Sequence, residues 1–215
     1  KNLVNKDIKV DVYYTRKKNF KSQSRIIGIS KNNLDFFNKK ILKIKKNLFW
    51  NIKSIDVFYE KFDNNKIFNF EKSGNTIFST IKNSSLYKLL NDNLKKNNLF
   101  RKILIKNKNF YKKILNEEKY QLIINCDFNY EIFKKFFYNR INKDYNSSAY
   151  TTIIKHQYFK NLKAVQIFTK IGPIAFLPIS NYYTSIVYSI TNNEFNFTNE
   201  NIKILIKKYN KDYSI

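Results

Sequence analysis

Residues 164–180 read AVQIFTKIGPIAFLPIS, and this stretch decides the fold class. The whole chain of 215 residues contains only three glycines, two prolines and three alanines. Half of these eight residues fall within seven positions: Gly172, Pro173, Ala175 and Pro178. A chain so poor in glycine and proline keeps them where the backbone needs a positive φ, a fixed φ or a close approach. The stretch therefore predicts two strands joined by a tight turn, and residues 182–190 predict a third strand.

The chain has a formal net charge of +25, from 41 basic and 16 acidic residues. A charge of this size is typical of nucleic-acid-binding proteins. Only four of the basic residues are arginine, the side chain preferred for bidentate contacts with phosphates and bases. The lysines are spread among many asparagines and isoleucines, a pattern that a bias towards A/T-rich codons also produces. We therefore favour composition bias as the source of the charge, with an anionic membrane surface as a further partner of the lysines.

Hydrophobic periodicity predicts a mixed α/β chain. Strands are predicted at residues 8–14, 54–60, 66–70, 76–81, 100–105, 120–127, 147–157, 164–169, 174–179 and 182–190. Helices are predicted at residues 32–44, 84–96, 130–137 and 200–209. Cys126, the only cysteine, lies in the predicted buried strand 120–127 and is expected in the core, and a single cysteine favours a reducing compartment. No apolar run reaches the ~18 residues that span a bilayer, and no signal peptide is visible.

The block around Gly172 resembles the ubiquinone-biosynthesis hydroxylases, which are FAD-dependent aromatic monooxygenases with the p-hydroxybenzoate hydroxylase fold. The middle domain of that family carries the pattern Q-x-F-T-x-x-G-P-[LI]-A-x-L-P-[LI]-S, followed by a strand of the form T-S-[IVL]-V. The chain matches this pattern without a gap at Gln166, Phe168, Thr169, Gly172, Pro173, Ala175, Leu177, Pro178, Ser180 and residues 184–187. A buried hairpin with a Gly-Pro turn in an unrelated sheet protein is the alternative interpretation.

Outside this block the resemblance has both matches and departures. Arg25 matches a D-x-R-x-x-A-[LI]-S segment that opens a helix beside the flavin, although Gln23 replaces its leading acid. Asp127 matches the acid of an A-D-G motif, although Phe128 replaces the glycine. Tyr14 stands where the family carries an acid for the adenosine ribose. The family's G-x-G-x-x-G turn and G-D motif are not found in the chain, which predicts either a fragment of a longer hydroxylase or a degenerate relative.

The resemblance implies an α/β fold with two parts. One is a partial FAD-binding layer, Rossmann-like and of the p-hydroxybenzoate hydroxylase type, and the other is a largely antiparallel substrate sheet. The FAD-binding segments are expected at residues 1–50 and 84–144. The strands of the substrate domain are expected at residues 51–83 and 145–190, and a C-terminal helical segment at residues 191–215.

The resemblance also implies an activity and a site. The activity is the FAD-dependent hydroxylation of the aromatic ring of a polyprenylated ubiquinone precursor, with NAD(P)H and O₂. The implied cofactor contacts are Arg25, Asp127, Gly172 and Pro173, and the implied substrate contacts are Phe168, Phe176 and Leu177. We expect no metal site, because His156 is the only histidine and has no ligand cluster beside it.

The expected partners follow from the same resemblance. They are a polyprenyl phenol, a membrane surface in peripheral contact, and other enzymes of the ubiquinone pathway, with no nucleic acid. The expected location is the cytoplasm, with peripheral contact at the inner membrane. Two other interpretations stay open. One is a non-catalytic flavoprotein relative, and the other is a lysine-rich nucleic-acid-binding protein of the ribosomal type, which would show a contiguous basic face.

Overall fold

The computed structural model describes residues 1–14, 25–60, 66–71, 74–105, 110–116, 119–126, 136, 141, 143–191, 198–210 and 213. The strands are β1 (Val10–Tyr14), β2 (Ile26–Ser30), β3 (Phe49–Ile52), β4 (Ser54–Tyr59), β5 (Lys66–Glu71), β6 (Phe78–Lys82), β7 (Phe100–Leu104), β8 (Ser147–Lys155), β9 (Lys163–Phe168), β10 (Pro173–Pro178) and β11 (Tyr183–Thr191). The helices are α1 (Lys31–Phe36), α2 (Asn83–Leu94), α3 (Phe110–Asn116) and α4 (Asn199–Tyr209). Among them, none is both long enough and apolar enough to cross a bilayer.

The largest unit is a sheet of six strands in the order β5-β4-β9-β10-β11-β8. Only β4 and β9 pair in parallel, and the other neighbours are antiparallel. The three strands predicted from residues 164–190 are confirmed as β9, β10 and β11. Because β4 and β5 come from the first half of the chain, the sheet is closed by contacts between residues about a hundred positions apart.

One face of this sheet is covered by α4, and the main hydrophobic core lies between them. Along β10 the buried residues alternate with half-buried ones, as expected for a strand with one covered face. Phe176 is fully buried there and stacks on Tyr213, with ring centroids 5.6 Å apart. Ile202 and Ile206 of α4 pack into the same cluster. Burial of each such side chain stabilises the fold by about 1.5–3 kcal/mol.

The turn between β9 and β10 is organised by the hydroxyl of Thr169. This hydroxyl donates to the carbonyl of Gly172 at 2.6 Å and accepts from the N–H groups of Ile171 and Gly172. Gly172 has φ +149°, and a Cβ there would lie 2.1 Å from the carbonyl oxygen of Ser189. The predicted tight turn is confirmed, and close packing against β11 is the reason for its glycine.

A second sheet of three strands, in the order β2-β6-β3, lies beside the first. Helices α1 and α2 contribute Leu34 and Leu86 to its own small hydrophobic cluster. Side-chain hydrogen bonds join the two sheets. The buried hydroxyl of Thr80 on β6 donates to the carbonyl of Pro178 at 2.6 Å. The indole N–H of Trp50 on β3 donates to the carbonyl of Asn161 at 2.6 Å.

Strands β1 and β7 form a parallel pair, the arrangement expected for part of a nucleotide-binding layer. Arg101 on β7 makes a bidentate ion pair with Asp11 on β1, at 2.7 and 2.8 Å. The hydroxyl of Tyr120 also donates to Asp11. The Arg101 and Tyr120 hydrogen bonds outweigh partial burial and lower the pKa of Asp11. This cluster ties the segment after α3 to the parallel pair.

The prediction of a buried strand at residues 120–127 is wrong for the part that the structure describes. Residues 120–126 form no strand, and Leu122 and Ile124 are 74% and 66% exposed. Cys126 is also exposed instead of lying in a core. The pattern is strand-like, but within the described ranges no neighbouring strand pairs with this segment. A strand is stable only with such a partner, which periodicity does not supply.

Periodicity predicts neither β2 nor β3, because four or five residues are too few for alternation to stand out. It also leaves residues 110–116, which form α3, without an assignment. The remaining predicted strands and the helices at 32–44, 84–96 and 200–209 are confirmed with shifted ends. The predicted helix at 130–137 falls almost entirely outside the described residues.

Candidate functional site

The face of the six-stranded sheet that α4 does not cover is the candidate site, and we call it the open face. Its side chains alternate along each strand with those of the covered face. One register row crosses all six strands near the middle of the sheet. From β5 to β8, its members are Phe68, Val57, Gln166, Ala175, Val187 and Thr151.

Small side chains form the floor of the open face. All three alanines of the 215-residue chain lie on it: Ala149, Ala164 and Ala175. Ser185 and Ser189 of β11 face the same side by the alternation of the strand. Alanine and serine side chains extend a shorter distance from the plane of the sheet than large side chains do. Ala164 and Ser185 are themselves buried, so room for a flat group lies over Ala149, Ala175 and Ser189, which are exposed or half-buried.

The open face is almost free of charge. In a chain in which 27% of residues are charged, its strand positions carry one charged side chain in the described residues, Lys155 at the end of β8. The lysines of β5 and β9 lie on the opposite face, where Lys66 and Lys163 flank the buried Asp56 at 3.0 and 3.4 Å. The composition of the face therefore suits a neutral, apolar ligand.

The predicted substrate contacts divide between the two faces. Phe168 and Leu177 lie on the open face, where Phe168 is 42% exposed and Leu177 is half-buried. Phe176 lies on the other face, buried against Tyr213, and does not reach the open face. The physical reason is the strand period of two, which sends neighbours in sequence to opposite sides. The roles of Phe168 and Leu177 stay predictions.

The predicted cofactor contacts are spread more widely. Gly172 and Pro173 lie at the β9–β10 turn, on the rim of the open face, and Pro173 pairs with Phe168. Arg25 is exposed directly before β2, and its carbonyl accepts from the N–H of Asn83. Asp127 falls outside the described residues. The structure thus brings Gly172 and Pro173 to the candidate site and places Arg25 at the start of the other sheet.

Sequence reasoning did not place Gln166 and the three alanines on one face of the sheet. Gln166 belongs to the matched motif but had no role assigned to it. The alanines could have indicated this face, because the chain has only three of them and all three lie in predicted strands. Their positions within those strands, combined with the alternation of β9 and β10, indicate one shared face.

His156 belongs to a structural network and not to the candidate site. Its Nδ1–H donates to the carbonyl of Gln157 at 2.8 Å, so its Nε2 accepts from the hydroxyl of Thr184 at 3.1 Å. Asn161 donates to Thr184 and to the carbonyl of Ser180, both at 2.9 Å. The three side chains are buried and satisfy one another. Hydrogen bonding within the fold accounts for the burial of His156 without a catalytic role.

The described residues fit one part of FAD and not another. A pyrophosphate is held by a glycine-rich turn at a helix N-terminus. The three glycines do not form one: Gly28 lies in β2 against Phe78, Gly172 packs on Ser189, and Gly74 lies in a loop between two strands. The apolar open face does fit a flat aromatic ring. The described part of the chain thus offers an apolar sheet face and no glycine-rich phosphate turn.

The end of β1 also departs from an adenosine site of the expected type. Tyr14 stands there, and the ammonium group of Lys102 lies 4.7 Å from the centroid of its ring. A carboxylate at a strand end accepts hydrogen bonds from a ribose, whereas a tyrosine beneath a lysine offers a flat face and a positive charge. The chemistry at this position therefore differs from that of the family pattern.

No family model and no curated protein matches the chain. Solved structures do match it. A variant of PqsL from Pseudomonas aeruginosa with four substitutions superposes with a TM-score of 0.72 at 10% identity, over 98% of this chain and 63% of that one. PqsL itself, a probable FAD-dependent monooxygenase, gives 0.65 at 9% identity over 96% and 58%. HpxO from Klebsiella pneumoniae, complexed with FAD and uric acid, gives 0.59 at 6% identity over 93% and 55%.

These likenesses concern the fold. The chain has the mixed α/β fold of the FAD-dependent monooxygenases, as the resemblance implied. It spans about three fifths of the length of these structures. The six-stranded sheet and the parallel β1–β7 pair are thus parts of a larger architecture in the proteins that it resembles.

Proposed function

We propose that this chain supplies the substrate-binding sheet of an FAD-dependent aromatic hydroxylase. The observation that carries the proposal is the open face, an almost uncharged surface with an alanine and serine floor on the sheet of a monooxygenase fold. A charged or polar substrate would find few partners on this face. A flat aromatic ring would bury apolar area on it at about 25 cal/mol per Å².

In this proposal the residues of the chain bind and orient the ring. Ala175 leaves the space in which the ring lies, and Phe168 and Leu177 stand beside it. Because these side chains are apolar, a bound ring would displace water from the face. Bound FAD would supply the oxygen-transfer chemistry, with NAD(P)H and O₂ as co-substrates.

A polyprenylated phenol is the substrate class that we propose within this activity. Phe68 and Phe70 support it, because they extend the open face towards the sheet edge and are both more than half exposed. Their rings lie 6.1 Å apart and continue the apolar row from Val57. A prenyl chain attached to a ring over Ala175 could lie along this edge. Exposed aromatic pairs of this kind are typical of apolar ligand contacts.

Peripheral contact with an anionic membrane is part of the same proposal. A polyprenylated substrate partitions into the bilayer, so the enzyme must reach it at the membrane surface. The net charge of +25 supports such contact, since each lysine near an anionic surface contributes about 1 kcal/mol. A complex with other enzymes of ubiquinone synthesis would also give the enzyme access to this substrate, because a poorly soluble molecule could pass directly from one enzyme to the next.

The test begins with the absorbance spectrum of the full-length protein. We expect bound FAD, and NAD(P)H oxidation that rises when 4-hexylphenol is added. The substitution Ala175→Phe would fill the floor, so we expect it to lower the phenol-dependent rate at least tenfold while FAD stays bound. The control is Thr152→Phe, the same kind of added ring on β8 but on the other face of the sheet, which we expect to leave the rate unchanged. Full activity in Ala175→Phe would contradict the proposal.

A non-catalytic flavoprotein relative is the second candidate. The observation that favours it is the tyrosine and lysine pair at the end of β1, where the resembled family carries an acid. This candidate predicts full-length protein that is colourless and does not oxidise NAD(P)H. The absorbance spectrum of the full-length protein, measured before any substrate is added, is enough to distinguish the two candidates.

A further inference from the structure

Among the described strand positions of the open face, Gln166 is the one amide side chain, and it lies on β9, the third of the six strands in the row. Its register neighbours are Val57 on β4 and Ala175 on β10, and Ala164 and Phe168 flank it along β9. All four are apolar. Its side chain is half-buried, and in the described part of the chain it has no hydrogen-bond partner. It is therefore a polar group with apolar neighbours that still reaches water when no ligand is bound.

The energetic cost of this arrangement points to a ligand. An amide that loses water without gaining a partner costs about 1–3 kcal/mol, and a ring placed over Ala175 would remove water from Gln166. A ligand that carries its own hydroxyl or carbonyl group restores the lost hydrogen bond. Since the amide both donates and accepts, it can bind either group in a neutral molecule.

The geometry points to Gln166 as the specificity-determining contact for a neutral aromatic ring that carries a hydroxyl or carbonyl substituent. This inference deepens the proposed function and rests on it, because it names the class of ring that the open face selects. Anionic rings, such as benzoates, are excluded by the same face. Gln166 would recognise the substituent, and the floor of small residues would hold the ring.

The exclusion of anions follows from the distance to the nearest cation of the face. Lys155 is on β8, three strands from Gln166, or about 14 Å at 4.8 Å per strand. Lys66 and Lys163 lie on the other face and are paired with Asp56. A carboxylate that loses water over Gln166 would have no opposite charge beside it, and burying an unpaired carboxylate costs several kcal/mol.

The test measures binding of three small probes to the full chain by calorimetry, without flavin or NAD(P)H. The probes are 4-hexylphenol, hexylbenzene and 4-hexylbenzoate. We expect the phenol to bind at least tenfold more tightly than the benzoate. The substitution Gln166→Leu keeps the size of the side chain but removes the amide. We expect it to lower the affinity for the phenol about five- to tenfold, which corresponds to the loss of one hydrogen bond. Hexylbenzene should bind Gln166→Leu as well as it binds the native protein.

The matched control is Gln157→Leu, the same change at an exposed position after β8, which we expect to alter no affinity. The inference is overturned if the benzoate binds as tightly as the phenol. It is also overturned if Gln166→Leu weakens phenol and hexylbenzene equally, or if no probe binds. The affinities of the phenol and the benzoate are compared on the native protein. The selectivity against a charged ring is therefore testable even where a variant does not fold. A failure of the proposed redox function would appear as missing flavin, which this measurement does not involve.

Discussion

At the scale of single residues, the motif around the Gly-Pro pair is explained by packing. Thr169 shapes the turn, Gly172 lets β10 approach β11, and the carbonyl of Pro178 accepts the bond that joins the two sheets. These residues define how the sheet is built. The open face is made of residues that lie between these three in the sheet. The motif therefore positions the candidate site even through residues that do not contact a ligand.

Gly172→Ala is expected to destabilise the fold by about 2–4 kcal/mol. The added Cβ would meet the Ser189 carbonyl at 2.1 Å, and φ +149° is unfavourable for any L side chain. Urea unfolding of the native protein and the variant measures the difference. The control is Gly74→Ala, where a Cβ meets nothing within 4 Å although φ is also positive, at +63°. Equal losses in both variants would show that packing on Ser189 is unimportant.

Thr184→Val tests the buried network around His156. The substitution keeps the shape of the side chain but removes the hydrogen bonds of the Thr184 hydroxyl with His156 Nε2 and with the Asn161 amide. We expect a loss of about 1–3 kcal/mol in the free energy of unfolding. Thr152→Val on β8, at an exposed position, should change it by less than about 0.5 kcal/mol. A stable Thr184→Val protein would mean that the network contributes little.

At the scale of elements, α4 is held on the sheet by Glu60 as well as by its apolar face. Glu60 follows β4 and accepts hydrogen bonds from the Lys170 N–H at 2.9 Å, the Tyr209 hydroxyl at 2.7 Å and the Lys208 ammonium at 3.0 Å. One carboxylate thus joins the end of β4, the β9–β10 turn and the last turn of α4. Partial burial raises the pKa of Glu60, but these three hydrogen bonds outweigh it and lower the pKa to about 2.

The lowered pKa predicts how stability depends on pH. A carboxyl group whose pKa is lower in the folded state stabilises the protein above its unfolded pKa of 4.5, and this contribution is lost as the pH falls towards 2. We expect Glu60→Gln to cost about 1–2 kcal/mol at pH 7, after allowance for solvent screening of Lys208. The difference from the native protein should shrink as the pH falls below 4.5.

Urea unfolding at pH 7, 4 and 3 measures this change. Glu71→Gln is the control, since Glu71 lies exposed on the edge strand β5. It should show a small difference at every pH. A Glu60→Gln penalty that stays constant from pH 7 to pH 3 would contradict the assignment of the stabilisation to the ionised carboxylate.

At the scale of the whole molecule, three sheets built from distant segments meet through few polar contacts. The six-stranded sheet is tied to the three-stranded sheet by the bonds of Thr80 and Trp50 to backbone carbonyls. The segment before β1 is tied to the segment after α1 by Asn5, whose amide donates to the carbonyls of Lys40 and Ile41. Such contacts fix the relative position of the sheets, and they are the places where local opening should begin.

Thr80→Val is expected to loosen the junction of the two sheets. It removes the donor to the Pro178 carbonyl and leaves that buried acceptor unpaired, at a cost of about 1–3 kcal/mol. Hydrogen exchange of the amides in β2, β3 and β6 should accelerate accordingly, while the amides of β11 keep their protection. The control is Ser79→Ala, which removes a bond to Asn51 inside the three-stranded sheet. If Thr80→Val leaves the exchange of β6 unchanged, the junction does not depend on this bond.

Much of the fold follows from local pattern. The alternation in residues 164–190 predicts three strands, and the Gly-Pro turn predicts how the first two are joined. The segment 120–126 shows the limit of this reasoning, because its pattern is that of a strand while no described strand pairs with it. Leu122 and Ile124 are therefore exposed despite their apolar character.

The amino-acid sequence alone determined the strands of the large sheet, the turn at Gly172 and the fold class, because these depend on residues close together in the chain. Only the tertiary structure decided which face of each strand is covered. Phe176 and Leu177 are neighbours in sequence, yet α4 and Tyr213 bury the first and leave the second on the open face. The candidate site depends on six strands in register, and the pairing of β4 with β9 joins chain segments that no local pattern connects.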